Sequence, residues 1–300
     1  MNASHNNSSK PAIGWIGLGK MGMPMSKNLI TAGYRMAVYD LLREQAEKLA
    51  CDSVIAADSP EHVASESDVI ISIISDDSAL IDVAIGPKGV LKGAKPGTIF
   101  MDMSTVSAGV SQQVAEEADN KGVKYLRAPV SGSTVFAAQG TLTVMASGPK
   151  DSFDYCKDIF NLLSKTALYV GSGEEARYVK LLINMMVGIS AAMTAEALTF
   201  GKRGGLDWEQ MLDIIDISVA RSPLIGFKIP PFKERDFTPA FTAAQMCKDL
   251  DIALDTGKPI GAIMPLTALV RQFLSAMKAR GTGDLDYFGL VTLWEDMAGL

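Results

Sequence analysis

The chain has 300 residues, 48% of them hydrophobic and 21% charged, with a formal net charge of −6. That composition fits a soluble globular protein of one or two domains with a sizeable core, and the lack of any basic run argues against a nucleic-acid partner. Three scattered cysteines (Cys51, Cys156, Cys247) with no CxxC pair argue against a zinc site or a disulfide framework, and fit a reducing cytoplasm.

The first ten residues, "MNASHNNSSK", are polar and lack the apolar segment of a signal peptide, so residues 1–10 are expected to form a disordered tail. From residue 11 to 172, strand-like and helix-like runs alternate. β-rich runs stand at "AIGWIG", "RMAVY", "DVIISII", "TIFMDM", "KYLRAPV", "TLTVMAS" and "ALYV". Helical patterns lie between most of them, among them residues 21–32, 107–120 and 151–163. This alternation predicts an α/β fold with a Rossmann-like, doubly wound sheet, largely parallel at its start. Two strand-like runs between residues 124 and 146 predict a mixed far edge.

The first strand runs directly into Gly17-x-Gly19-x-x-Gly22, and a helical pattern follows. Gly17 permits a tight turn, Gly19 lets the backbone approach a pyrophosphate, and Gly22 lets helix and strand pack closely. The loop Gly17, Leu18, Gly19, Lys20, Met21 and Gly22 is therefore the expected dinucleotide-binding loop, with the helix N-terminus facing the phosphates. The competing reading is a strand–helix turn that binds nothing. Asp40 ends the second strand, 18 residues beyond Gly22. A carboxylate there accepts from ribose hydroxyls and repels a 2′-phosphate, which favours NAD over NADP. Arg43 could soften that choice and keeps NADP open, and an ordinary strand-end aspartate is the alternative.

After residue 172 strand patterns stop, and residues 173–300 read as an all-helical domain joined to the first by one long helix. "SGEE" at residues 172–175 is a capping-box signature, and the helix it opens can run to "GKRGG" at residues 201–205. That is about 30 residues, or roughly 45 Å. Further helices are expected at residues 208–219, 239–256 (with Thr238 as cap and Pro239 in the first position), 266–280 and 285–297. The apolar stretch between Lys180 and Glu196 falls short of the roughly 18 residues of a membrane span and contains Asn184, so no membrane partner is expected.

A nicotinamide enzyme that oxidises an alcohol needs a group to take the hydroxyl proton. The chain has only two histidines; His5 is in the tail, and His62 reads as a surface residue on a helix start. Carboxylates, tyrosines and lysines remain. In "RYVKLLINMMVGIS", Lys180 and Asn184 are four apart and share one helix face. Two readings compete for Lys180. Either it snorkels, stem on apolar surface and head in water, or it lines a cleft where desolvation lowers its pKa into the range of proton exchange. Asn184 would orient it or bind substrate, and Gly188 would leave room above them. Ser131, Gly132 and Ser133 form a small polar turn after a strand that can offer free N–H groups to an anion; a plain turn is the alternative.

Four motifs occur in order: "IGWIGLGKMG", "APVSGS", "GSGEEARYVKLLIN" and "KDL". Together, from about residue 12 to the C-terminus, they resemble the β-hydroxyacid dehydrogenase family. The resemblance implies that the first motif binds the dinucleotide and that Ser131, Gly132 and Ser133 hold a substrate carboxylate. It implies that Lys180 is the catalytic lysine and Asn184 its partner, and that Lys248 closes over the nicotinamide end and the substrate. "DMST" at residues 102–105 resembles the loop beside the nicotinamide ribose, which puts Thr105 at the cofactor. Four positions depart from the family pattern: Arg127 for an aspartate, Ser133 for a glycine, Ile183 for a second asparagine, and Ala244 for an acidic residue. In the family these positions lie near the substrate, so substrate identity is what the resemblance carries over least, while the catalytic pair is intact.

The expectation is thus a cytoplasmic, NAD-dependent oxidoreductase acting on a small 3-hydroxy acid or the matching semialdehyde, with no metal, a small carboxylate as substrate, and a homodimer or homotetramer as its assembly. Rivals are an imine reductase on the same scaffold, which would usually carry another proton donor at position 180, and a non-catalytic dinucleotide-binding module. A decarboxylating sugar-phosphate relative would need a basic cluster and a longer chain.

Overall fold

The structure is a computed structural model that describes residues 10–300; the expected tail, apart from Lys10, lies outside the described residues. Nine strands form one sheet: β1 (Ile13–Ile16), β2 (Met36–Tyr39), β3 (Val54–Ala56), β4 (Val69–Ser72), β5 (Ile99–Asp102), β6 (Lys124–Arg127), β7 (Val130–Ser131), β8 (Leu142–Ser147) and β9 (Ser164–Gly171). Between them run α1 (Gly22–Thr31), α2 (Arg43–Glu47), α3 (Pro60–Ser65), α4 (Asp77–Ile85), α5 (Val90–Gly93), α6 (Ala108–Asn120), α7 (Thr134–Gln139), α8 (Lys150–Tyr155) and α9 (Lys157–Leu163). The remainder is helical: α10 (Glu175–Arg203), α11 (Trp208–Ile217), α12 (Pro223–Glu234), α13 (Ala243–Gly257), α14 (Pro265–Ala279), a 3-10 turn at Tyr287–Gly289 and α15 (Leu290–Ala298). The fold class read from the sequence is the one observed.

Strands β3-β2-β1-β4-β5-β6 lie side by side and are all parallel, and the order reverses between β1 and β4. Every residue of β1, β4 and β5 is buried, because helices cover both faces of the sheet. Ile13, Trp15, Ile71 and Met101 enter one core layer with α1 and α9; Ile16, Ile70 and Phe100 enter the other with α3, α4 and α6. The mixed far edge is also present. β8 runs antiparallel to β6 and β7 in a single register, so β6 and β7 are one strand interrupted at Ala128 and Pro129. β9 then pairs parallel with β8.

The chain packs as two units that meet between Lys180 and Leu181, inside α10. In the helical unit, Ala195, Leu198, Leu212, Phe232, Met246, Leu250, Leu274 and Phe288 form the core. Phe232 is its hub, with Trp208, Phe237 and Phe288 edge-on at ring-centroid distances of 5.7–6.3 Å. A buried ion pair, Lys228 to Asp286 at 2.7 Å, lies against the rings of Tyr287 and Phe288. Contrary to the expectation from residues 180–196, α10 is by length and composition long and apolar enough to cross a membrane; its start carries the buried Arg177, and one of its faces packs in this core.

Several element boundaries differ from expectation. The helix expected from Pro239 begins at Ala243, where Thr242 and Gln245 form a complete capping box, while Thr238 donates its N–H to Asp236 Oδ1 instead. Ser172 is not the cap of α10. Glu175 accepts from Gly173 N, and Ala176 N is satisfied by Ser147 Oγ from the end of β8. The last predicted helix splits into the 3-10 turn and α15, and the pattern at residues 151–163 splits into α8 and α9. Helix α12 was not among the expected helices, and it contains Pro223, Pro230 and Pro231. Pro223 sits in the first turn behind the Ser222 cap, and the helix carries the other two internally on the strength of Ile225, Ile229 and Phe232 in the core.

Candidate active site

The carboxyl ends of β1, β2, β4 and β5 form one edge of the sheet, and the order reversal between β1 and β4 opens a crevice there. The glycine loop lies at this edge. Gly17 has φ +93°, and a Cβ on it would lie 2.2 Å from the Ile73 carbonyl oxygen. A Cβ on Gly22 would lie 2.0 Å from the Gly17 carbonyl oxygen, so α1 packs on the loop only through glycine. Gly19 differs: it is exposed and a Cβ there would meet nothing within 4 Å. The backbone thus presents open, side-chain-free space where the α1 N-terminus begins, which fits a pyrophosphate. Leu18 is buried, Met21 half-buried and Lys20 exposed.

Asp40 stands half-buried at the end of β2. Its Oδ2 accepts from Leu18 N at 2.6 Å and its Oδ1 from Leu42 N at 2.8 Å. Each oxygen retains a lone pair, so the carboxylate can shape the glycine loop and still accept from a ribose hydroxyl. Arg43 is taken up by Glu47 and Asp58. Together these residues fit a dinucleotide.

Thr105 follows β5 at the same edge, half-buried, in a loop fixed by a buried charge network. Asp102, 0% exposed, accepts from Ser72 Oγ at 2.6 Å, Ser104 Oγ at 2.7 Å and Arg177 Nη2 at 2.6 Å. Arg177, 1% exposed, also donates to the Ser104 carbonyl, Ser111 Oγ and the Tyr125 hydroxyl. Burial pushes the Tyr125 phenol up to about 12 against the pull of Arg177. A second pair, Arg127 to Glu174, closes over the Tyr125 ring, with Arg127 at 4.8 Å from its centroid. Arg127, one of the departures, is therefore spent on fastening the segment that leads into α10. The sequence reading missed this network. Its one visible signal was an arginine in the first turn of an otherwise apolar helix.

Ser131, half-buried, ends β7; Gly132, at φ +137°, is exposed and Ser133 half-buried just beyond it. Ser133 leads into α7, and its buried Oγ lacks a hydrogen-bond partner.

Lys180 is half-buried on α10, and Asn184 follows one turn on with 7% exposure. Asn184 Nδ2 donates to Asp249 Oδ2 at 2.6 Å, and Lys248 Nζ lies 2.8 Å from Asp249 Oδ1. Gly188 does not leave open room as expected. A Cβ there would lie 3.2 Å from Met246 Sδ and 3.4 Å from a Leu250 methyl, so this glycine lets α13 approach α10. That approach brings Asp249 to Asn184. Ile183 is half-buried and Ala244 half-buried on α13, neither offering a polar group. His62 is half-buried rather than on the surface, and its Nδ1 accepts from Asp58 N at 3.3 Å.

A family model described as the NAD binding domain of 6-phosphogluconate dehydrogenase matches residues 12–171. A second, described as NAD-binding of NADP-dependent 3-hydroxyisobutyrate dehydrogenase, matches residues 172–294. The chain is 34% identical over 289 residues to 2-(hydroxymethyl)glutarate dehydrogenase of Eubacterium barkeri, covering 96% of each chain. It is 31% identical over 291 residues to mitochondrial 3-hydroxyisobutyrate dehydrogenase of Mus musculus, covering 95% of this chain and 87% of that one. A solved 3-hydroxyisobutyrate dehydrogenase of Mycobacterium tuberculosis, with L-serine, superposes with a TM-score of 0.86 at 28% identity, covering 95% and 99% of the two chains. The protein belongs to the β-hydroxyacid dehydrogenase family. It is an oxidoreductase with a domain for a nicotinamide dinucleotide.

Proposed function

We propose that the chain interconverts a small 3-hydroxy acid and its semialdehyde, with NAD as the favoured cofactor. The observation that carries this reading is a half-buried lysine one helical turn from a buried asparagine, in a chain that also holds the glycine loop. Named relatives act on 3-hydroxy acids, and L-serine, present in one solved relative, is itself a 3-hydroxy acid.

The dinucleotide, when bound, supplies the hydride acceptor or donor. The remaining work falls to side chains. Ser131, Gly132 and Ser133 offer hydroxyl and backbone donors to the substrate carboxylate. Lys180 takes the hydroxyl proton in oxidation and returns it in reduction, with Asn184 orienting the reacting oxygen. Thr105 and Lys248 bound the nicotinamide end. Asp40 rejects a 2′-phosphate, and with Arg43 engaged by Glu47 and Asp58, NAD is favoured by roughly tenfold or more, or about 1.4 kcal/mol.

The deciding experiment is Lys180→Met, assayed over a panel of 3-hydroxy acids by absorbance of reduced cofactor. Turnover falls by roughly a hundredfold or more, while folding and dinucleotide binding persist. Lys180→Arg does not rescue, because guanidinium stays protonated throughout. A Lys180→Met variant turning over at the parent rate would assign the lysine a structural role. A homodimer or homotetramer belongs to the same reading. Leu182, Met186, Met193 and Phe200 are exposed on one face of α10. Met186→Glu with Phe200→Glu is expected to lower the mass measured by light scattering; an unchanged mass would place the interface elsewhere.

A further inference from the structure

Asp249 on α13 has 2% of its surface exposed, and the chemistry proposed above does not use it. Its Oδ2 accepts from Asn184 Nδ2 at 2.6 Å. Its Oδ1 lies 2.8 Å from Lys248 Nζ, an ion-pair distance without hydrogen-bond alignment, and this buried oxygen has no hydrogen-bond partner. Asn184, Lys248 and Asp249 all belong to the helical unit.

A carboxylate only accepts. Asn184 must therefore turn its NH2 toward Asp249, which fixes the amide in one of its two flip states. The Asn184 carbonyl oxygen then faces away from Asp249 as an acceptor of set direction, one turn from Lys180. An acceptor there suits a group that donates, such as an alcohol hydroxyl or an ammonium. The same carboxylate holds the lysine beside it. A buried carboxylate is costly unless fully bonded, and one of these oxygens is not. An apolar residue would serve packing better, so stability does not account for the aspartate.

We propose that Asp249 is a positioning residue, setting the Asn184 amide and the Lys248 ammonium as one unit for the reaction. The inference rests on the functional reading above. Its test compares the parent, Asp249→Asn, Asn184→Ala and the double variant in kinetics, thermal unfolding, and nuclear magnetic resonance of the Asn184 side-chain amide in labelled protein. Asp249→Asn is nearly isosteric and is expected to keep its melting midpoint and its KM for NAD. Its kcat should fall roughly ten- to a hundredfold, the scale of a misplaced reacting group. The double variant should lose less than the product of the two single losses, because the aspartate acts in part through the amide and in part through Lys248. The Asn184 amide protons, held and slow to exchange in the parent, should shift and exchange faster in Asp249→Asn. Additive losses, a rate loss that only tracks a lowered midpoint, or an unmoved amide signal would overturn the inference while leaving an active parent enzyme. A parent inactive toward every 3-hydroxy acid tested overturns the functional reading, and this inference with it.

Discussion

Glycines at residues 17 and 19 stand two apart and answer to different constraints. Gly17 combines a positive φ with a carbonyl oxygen 2.2 Å from where a Cβ would stand. Gly17→Ala is expected to destabilise the fold by about 2–4 kcal/mol, seen as a lower urea midpoint. Gly19 meets neither limit. Gly19→Ala should leave stability within about 0.5 kcal/mol, yet weaken dinucleotide binding because the methyl occupies the space over the loop. Calorimetric titration of the variant with NAD separates the two effects. Thiols are similarly divided. Cys51 is exposed, and its hydrogen bond with Ser53 lowers its pKa; Cys156 and Cys247 are buried, and burial lifts Cys156 to about 12. Native protein should react with one equivalent of a thiol reagent, and unfolded protein with three.

At the scale of elements, legibility followed the range of the interaction. The strands other than the three-residue β3, together with α1, α11 and α14, obey local period and turn chemistry, and their positions could be read directly. So could the glycine loop, since strand, turn and helix are contiguous there. Lys180 and Asn184 stood out as polar residues in an apolar run. What could not be read depends on contacts between distant residues. Ser147 caps α10 at Ala176 across a separation of 29 residues, and local sequence offered Ser172 for the task. Arg177 finds Asp102 at a separation of 75 residues. Helix α12 forms despite its prolines because tertiary burial outweighs propensity. These contacts make predictions of different size. Ser147→Ala removes one cap and should cost about 1–2 kcal/mol. Arg177→Met strands a buried carboxylate and should cost about 3–5 kcal/mol, with both effects measured by urea unfolding.

At the scale of the whole molecule, stability should decline in alkali. The Tyr125 phenol and the Cys156 thiol are neutral when protonated, and burial raises each to about 12 from reference values of 10.0 and 9.0. The unfolded chain therefore releases these protons first. Their contribution is full below pH 9.0 and is lost as pH rises toward about 12. Urea midpoints measured across that window should fall steadily, and Cys156→Ala should flatten the early part of the decline. Glu295 works at the other end. Burial raises its pKa, but hydrogen bonds from Arg235 and Lys202 outweigh that and hold it below its ordinary value. The stability it adds is present above the usual carboxylate range and disappears as acid titrates the group.

The anchoring of the sheet by residues 174–177 bears on the order of events at the ribosome. By the time residue 171 is made, all nine strands have been translated, yet neither Asp102 nor Arg127 has its countercharge, because Arg177 and Glu174 are still to come. The nascent sheet would have to bury an uncompensated carboxylate or stay loosely packed around it. Its final closure waits on a few codons that lie past its last strand, as α10 begins to emerge. A chain halted at residue 171 should accordingly remain open to protease, and one extended to residue 203 and fully emerged should be resistant.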